Sequence, residues 1–177
     1  MLKKFMVILV VALSGCASME LPIAHDLSKD TLTDESSMII VSTWANDKSI
    51  SFASMLTIYK ADGDEALLSF NIDSYVLKPH FQEGWGFLNV SFLEPGEYRY
   101  ELYNLNPYYT YYRFEKPITF RVQGNEVIYL GEAYLDGEYL RIRDKRVRDI
   151  PMFLERNTEF TEQDITIALP LIRYSKS

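Results

Sequence analysis

From Met38 onward, apolar and polar residues alternate through much of the chain, and a period of two predicts strands. Over residues 38–44, Ile39, Val41 and Thr43 alternate with Ile40, Ser42 and Trp44. A strand apolar on both faces belongs in the middle of a sheet that is covered on both sides. Asn46-Asp47 turns the chain. A second strand is expected over 52–60, with Leu56 and Ile58 on one face. The turn Asp62-Gly63-Asp64 follows, and Leu68, Phe70 and Ile72 return as its hairpin partner. Residues 86–103 read as an antiparallel pair with one buried and one wet face. Leu88, Val90 and Phe92 lie on one side, Glu94-Pro95-Gly96 suits a type II turn, and Tyr98, Tyr100 and Leu102 come back on the same side.

Ile118, Phe120 and Val122 predict another strand, closed by Gly124-Asn125. Residues 127–135 are apolar on both faces and predict a second central strand. Asp136-Gly137 then turns into residues 139–143. The period changes after that. Asp149 can cap a helix over 149–157 with Pro151 in its first turn and Ile150, Phe153 and Leu154 on one face. Residues 161–169 favour neither strand nor helix, and Pro170 limits them. The fold class is therefore mainly β: an antiparallel β-sandwich of about 9–10 short strands with one short C-terminal helix.

The N-terminus carries a different pattern. Lys3 and Lys4 precede nine apolar residues over 5–13, then Ser14, Gly15 and Cys16. As a helix the apolar run would be roughly 14 Å long, short of the ~20 residues that span a bilayer. Basic start, apolar middle and small-residue end match an export signal. Leu13-Ser14-Gly15-Cys16 resembles the lipobox of bacterial lipoproteins. That resemblance implies cleavage between Gly15 and Cys16, a diacylglycerol on the Cys16 thiol and an acyl chain on its amino group. A single acyl chain binds a membrane reversibly, whereas three hold it permanently. Ala17 stands where enteric lipoproteins kept at the inner membrane tend to have Asp, so the resemblance implies the cell outer membrane, with the domain facing the periplasm. The expected organisation is a signal peptide (1–15), a lipidated N-terminus with a flexible tether (16–37) and a β-sandwich domain (38–177).

Two further resemblances concern the fold. Leu93-Glu94-Pro95-Gly96-Glu97-Tyr98 is similar to a turn common in prealbumin-like and immunoglobulin-like sandwiches. Gly124, Tyr129-Leu130-Gly131, Asp144 and Asp149 resemble a pattern in small outer-membrane lipoproteins of unknown function. These motifs are structural and imply no catalytic residue.

Composition narrows the partners. The net charge is −7 and becomes −9 once Lys3 and Lys4 are removed with the signal, which disfavours nucleic acid. Cys16 is the sole cysteine, so its lipidation leaves no thiol for a disulfide or a metal. His25 and His80 offer neither a triad nor a metal set, and there is no G-x-S-x-G elbow. The acidic turn at Asp62 and Asp64 lacks the ligand spacing of a calcium loop. No enzyme, cofactor or metal is expected.

Two clusters offer partner contacts. In the run Tyr108–Tyr112, Tyr109 and Tyr111 would present rings to a glycan, a peptide or an envelope protein, or would simply pair across a sheet. Arg141, Arg143, Arg146 and Arg148, with Lys145, would dock on phosphates or an acidic partner, or would pair with Asp144 and Asp149. The expected function is a lipid-anchored, non-enzymatic interaction or structural module of the envelope. The alternatives are a glycan- or peptide-binding module and a lipoprotein of an envelope secretion assembly.

Overall fold

The computed structural model describes residues 19–20, 22–45, 54–72, 77–81, 84–104, 118–136 and 139–170. Their strands are β1 (Met19–Glu20), β2 (Ser37–Ala45), β3 (Ser54–Lys60), β4 (Ala66–Asn71), β5 (Leu77–Lys78), β6 (Trp85–Leu93), β7 (Gly96–Asn104), β8 (Ile118–Val122), β9 (Val127–Asp136), β10 (Tyr139–Arg143) and β11 (Ile165–Ile167). One helix, α1, spans Arg146–Arg156. One sheet has the order β10-β9-β2-β6, with β11 also on β9, and a second has the order β4-β3-β7-β8. β1 and β5 form a separate two-stranded parallel pair. Among the described residues the protein is mainly β, two main sheets with one α-helix in a sandwich-like arrangement.

Two apolar cores make three layers. Between the sheets, Ile39 and Val41 of β2 and Ile128, Leu130, Ala133 and Leu135 of β9 meet Leu56, Ile58, Tyr98, Tyr100, Ile118 and Phe120. Tyr98 and Tyr100 pack their rings on Phe120 at 5.6 and 4.8 Å. On the outer side, Met38, Ile40, Leu88, Val127 and Tyr129 meet Ile150 and Phe153 of α1, together with Ile23, Phe81, Phe160 and Ile165. β2 and β9 are thus covered on both faces, as their unbroken apolar runs predict.

Several expectations change. The first sheet is mixed: β2 runs antiparallel to β6 but parallel to β9, and β11 is also parallel to β9. Residues 86–103 do not form a hairpin. β6 pairs with β2, while β7 pairs with β3 and β8 in the other sheet, so Glu94-Pro95 arches between the layers. Gly96 does not take the positive φ of a type II turn; it opens β7 opposite Val122. The arch is closed by Tyr98, whose hydroxyl donates to the Glu94 carbonyl at 2.6 Å. Alternation assigns the faces of β7 correctly, but β6 has no wet face: Phe87 and Leu93, on the side of Asn89 and Ser91, are buried, whereas Phe92 is exposed. Leu88 and Val90 face the helix-side core, and Tyr98 and Tyr100 the inter-sheet core.

The predicted β3–β4 hairpin does form, with a loop that Arg99 organises. Its guanidinium donates to the carbonyls of Lys60, Ala61 and Gly63 at 2.7, 3.2 and 2.6 Å, and reaches Asp64. Helix α1 starts three residues earlier than expected. Lys145 takes the capping position without a side-chain cap, and Asp149 lies inside the helix, buried. Pro151 therefore falls beyond the first turn, on the solvent side. Residues 161–169 begin with a 3-10 turn (Glu162–Asp164) and continue as β11.

The expected flexible tether over 16–37 needs correction wherever the chain is described. Ile23 is buried, and the amide of Asp26 donates to the Arg156 carbonyl at 3.0 Å. Asn157 holds the segment from both sides: its Oδ1 accepts from Leu27 N, and its Nδ2 donates to the Ala24 carbonyl. Lys29 pairs with Asp164 at 2.8 Å. Further on, Asn125, at φ 59°, donates to the Thr33 carbonyl at 2.7 Å. Polar composition implies a tether, but backbone groups, Asn157 and Lys29 fasten residues 23–29 to the helix side, and the Asn125 amide holds residues 33–36.

Candidate functional site

A β-bulge creates the most chemically distinctive place in the molecule. β2 and β9 run in register to Ile40↔Tyr129 and resume at Ser42↔Glu132, so β9 inserts one extra residue. Gly131 absorbs the irregularity at φ +86°, a conformation that side chains avoid. The insertion turns Glu132 toward the helix side, where it joins Tyr129 and Ser42. Arg143 ends the neighbouring strand β10 opposite Glu132, and α1 brings Arg148 and Asp149 down onto the group.

The contacts are dense. Asp149 Oδ2 accepts from Ser42 Oγ at 2.6 Å and from Tyr129 Oη at 2.7 Å. Its Oδ1 accepts from Arg148 Nε at 2.7 Å, and Arg148 Nη2 reaches Ser42 Oγ at 3.2 Å. Glu132 Oε2 accepts from Arg143 Nε at 2.6 Å and also meets Arg143 Nη2. Arg148 Nη2 lies 2.9 Å from Glu132 Oε1, a charge contact off the line a hydrogen bond requires, so this oxygen has no hydrogen-bond donor. Tyr129 Oη in turn accepts from the Lys145 amide at 3.1 Å at the start of α1. The two guanidiniums also stack on rings, Arg143 over Tyr134 at 3.5 Å and Arg148 over Phe81 at 3.6 Å.

Ser42, Tyr129, Glu132 and Asp149 are fully buried, whereas Arg143 and Arg148 are about one-third exposed or less. Two carboxylates and two guanidiniums balance in charge, which makes burial of the acids tolerable. Burial, then the charge of Asp149, pushes the Tyr129 hydroxyl well above its ordinary range, so it stays a donor. The group clamps α1 to the sheet. Ser42 touches a carboxylate with no imidazole between them. His80 accepts from Leu88 N through Nδ1, and His25 sits at the surface beside Asp26. Among the described residues no set of side chains suited to a metal ion forms.

Gly15, Cys16, Tyr109 and Tyr111 lie outside the described residues. The four arginines occupy different settings. Arg143 and Arg148 belong to the buried cluster, Arg146 grips Asp144 through Nε at 2.8 Å, and Arg141 is exposed on β10. The Arg146 contact holds the Asp144 carboxyl below its usual range. Sequence reasoning paired these arginines with Asp144 and Asp149 as one alternative, but as a solvated edge. It missed Ser42, Tyr129 and Glu132 altogether. A signal was present: a glutamate directly after a glycine, inside a strand apolar on both faces, requires a buried cation.

The fold and the cluster together define, among the described residues, a mainly β protein with two main sheets, whose α-helix is locked on by buried charge. The chain matches no family model, no curated protein and no solved structure.

Proposed function

We propose that this protein is a lipoprotein of the cell envelope, anchored through Cys16 at the outer membrane and facing the periplasm. Its domain works there as a non-enzymatic interaction or structural module. The observation that carries this reading is Leu13-Ser14-Gly15-Cys16 after a basic start and a short apolar run. The docked N-terminal segment adds to it. Ile23 is buried in the helix-side core seven residues after Cys16, a distance of at most about 25 Å even when fully extended. A lipid on Cys16 would therefore hold the domain close to the bilayer surface. The Asp149 carboxylate is engaged by Ser42, Tyr129 and Arg148 in fastening the helix, which favours a non-enzymatic role.

Cys16→Ser tests the anchor. Acyl labelling of the protein should be lost, and the protein should either leave the membrane fraction or keep its signal segment. Unchanged labelling and fractionation would remove the reading.

A further inference from the structure

The outward side of the Asp149 cluster is the surface that stands out. Arg143 and Arg148 turn the same part of their guanidiniums inward. Arg143 engages Glu132 through Nε and Nη2, and Arg148 engages Asp149, Ser42 and Glu132 through those same two nitrogens. Nη1 of each has no partner among the described residues. The carboxylates they neutralise are fully buried, while the two arginine side chains are 34% and 28% exposed. The cluster therefore balances its charge inside and shows solvent only its cationic half.

The two guanidiniums are close together and fixed. Both contact the one Glu132 carboxylate, Arg143 at Oε2 and Arg148 at Oε1. Next along the strands, Trp44, Tyr134 and Arg141 pair in a row on the same face, and both of its rings are half-buried. Arg143 lies over Tyr134 at 3.5 Å, Arg148 lies over Phe81 at 3.6 Å, and Trp44 stacks on Phe81 at 5.8 Å. Clamping α1 uses only the inward nitrogens. The outward pair is left with its planes set by buried acids and aromatic rings, so little ordering cost remains for an arriving oxyanion. Asp144, the exposed carboxylate of this stretch, is gripped by Arg146.

We propose that Arg143 and Arg148 bind a phosphate group through Nη1, on a shelf bounded by Trp44, Tyr134 and Arg141. The guanidinium fork matches phosphate oxygens, and a phosphate offers three of them with up to about two charges. That number meets two guanidiniums arriving from different elements, β10 and α1. Arg141, exposed on the same strand face as Arg143, adds attraction from the rim. A lipid headgroup and a soluble phosphate ester present the same chemistry to this shelf. The proposal does not depend on the lipid at Cys16, because the shelf belongs to the folded domain.

The test follows the arginine Nε–H resonances of the full chain in non-ionic detergent by NMR. Inorganic phosphate is added at constant ionic strength, with chloride as the balancing salt. Arg143 and Arg148 should shift together and saturate in the millimolar range or below, while Arg156 at the other end of α1 stays still. Arg143→Lys keeps the charge but loses the fork, and should weaken binding about tenfold, the equivalent of about 1.4 kcal/mol. Arg141→Glu leaves the contacts that clamp α1 in place and decides the matter if Arg143→Lys misfolds. It should weaken binding about fivefold, since an exposed charge is worth up to about 1 kcal/mol. Two competitors distinguish the sources. Displacement of inorganic phosphate by phosphatidylglycerol in the micelles assigns the site to a lipid headgroup; displacement by glycerol phosphate alone assigns it to a soluble ester. Any of four results overturns the proposal: shifts that do not saturate, shifts that acetate reproduces at the same concentration, an affinity indifferent to both variants, or displacement by neither ester.

Discussion

Ser42 Oγ donates to Asp149 Oδ2 at 2.6 Å, joining the middle of β2 to the helix across 107 residues of chain. Neither residue could remain buried in this form without the other's kind of group, because a buried carboxylate needs donors and charge. Tyr129 and Arg148 complete the set.

Asp149→Ala should therefore be among the most damaging single changes in the described domain. It leaves two buried hydroxyls and part of the Arg148 charge without their acceptor, a loss of about 3–5 kcal/mol for a broken buried pair. The lower end is expected, since Arg148 retains Glu132. Ser42→Ala removes one donor of several and should cost about 1 kcal/mol. Urea unfolding of both variants measures the difference; equal costs would show that Asp149 is not the centre of the cluster.

Asn157 is fully buried and holds the N-terminal segment through Leu27 and Ala24, while its Nδ2 also donates to the Phe153 carbonyl at 3.0 Å. Asn157→Ala should cost about 1–3 kcal/mol through the groups it leaves unsatisfied. Amide exchange at Leu27 should accelerate, and a protease should cut within residues 24–32 before the sheets open. Asn157→Asp should be at least as harmful, because it sets a carboxylate against two carbonyls. Unchanged exchange at Leu27 would show that the segment is held by something else.

Lys29, then the side chain and amide of Thr161, hold the Asp164 carboxyl down to about 2 from an ordinary 3.8. A carboxylate depressed in the folded state stabilises above its unfolded pKa, and that contribution disappears as pH falls through the folded value. This contact should thus be intact above about pH 4 and be lost toward pH 2. A carboxyl titration followed by NMR should find Asp164 well below the exposed aspartates, and Lys29→Met should bring it back up. A titration that ignores Lys29→Met would assign the shift to Thr161 alone.

Much of the strand layout was legible because burial imposes a period of two. The central places of β2 and β9 followed from apolar residues on both of their faces. The β3–β4 and β9–β10 hairpins followed from Gly and Asp between alternating runs. The site was legible only in part. Arg148 and Asp149 stood out as charges, but Ser42 and Tyr129 read as ordinary strand residues, and their meeting depends on how α1 lies across the sheet. Residues 23–36 were misjudged because docking through backbone groups and one asparagine leaves no apolar period to detect.

The sequence by itself determined most of the core-facing positions and where the chain turns, and it carries the Leu13-Ser14-Gly15-Cys16 stretch on which the proposed anchor rests. Those properties reside in neighbouring side chains and in strand geometry. Only the tertiary structure decided which sheet each strand joins. Pro95-Gly96 is compatible with a hairpin or an arch, and the arch prevails because β6 completes a sheet on β2 while β7 lies between β3 and β8. It likewise decided that a one-residue bulge at Gly131 would turn Glu132 inward to meet Arg143 and Arg148. Alternation specifies a face but not a partner, and partners are chosen by contacts between residues far apart in the chain.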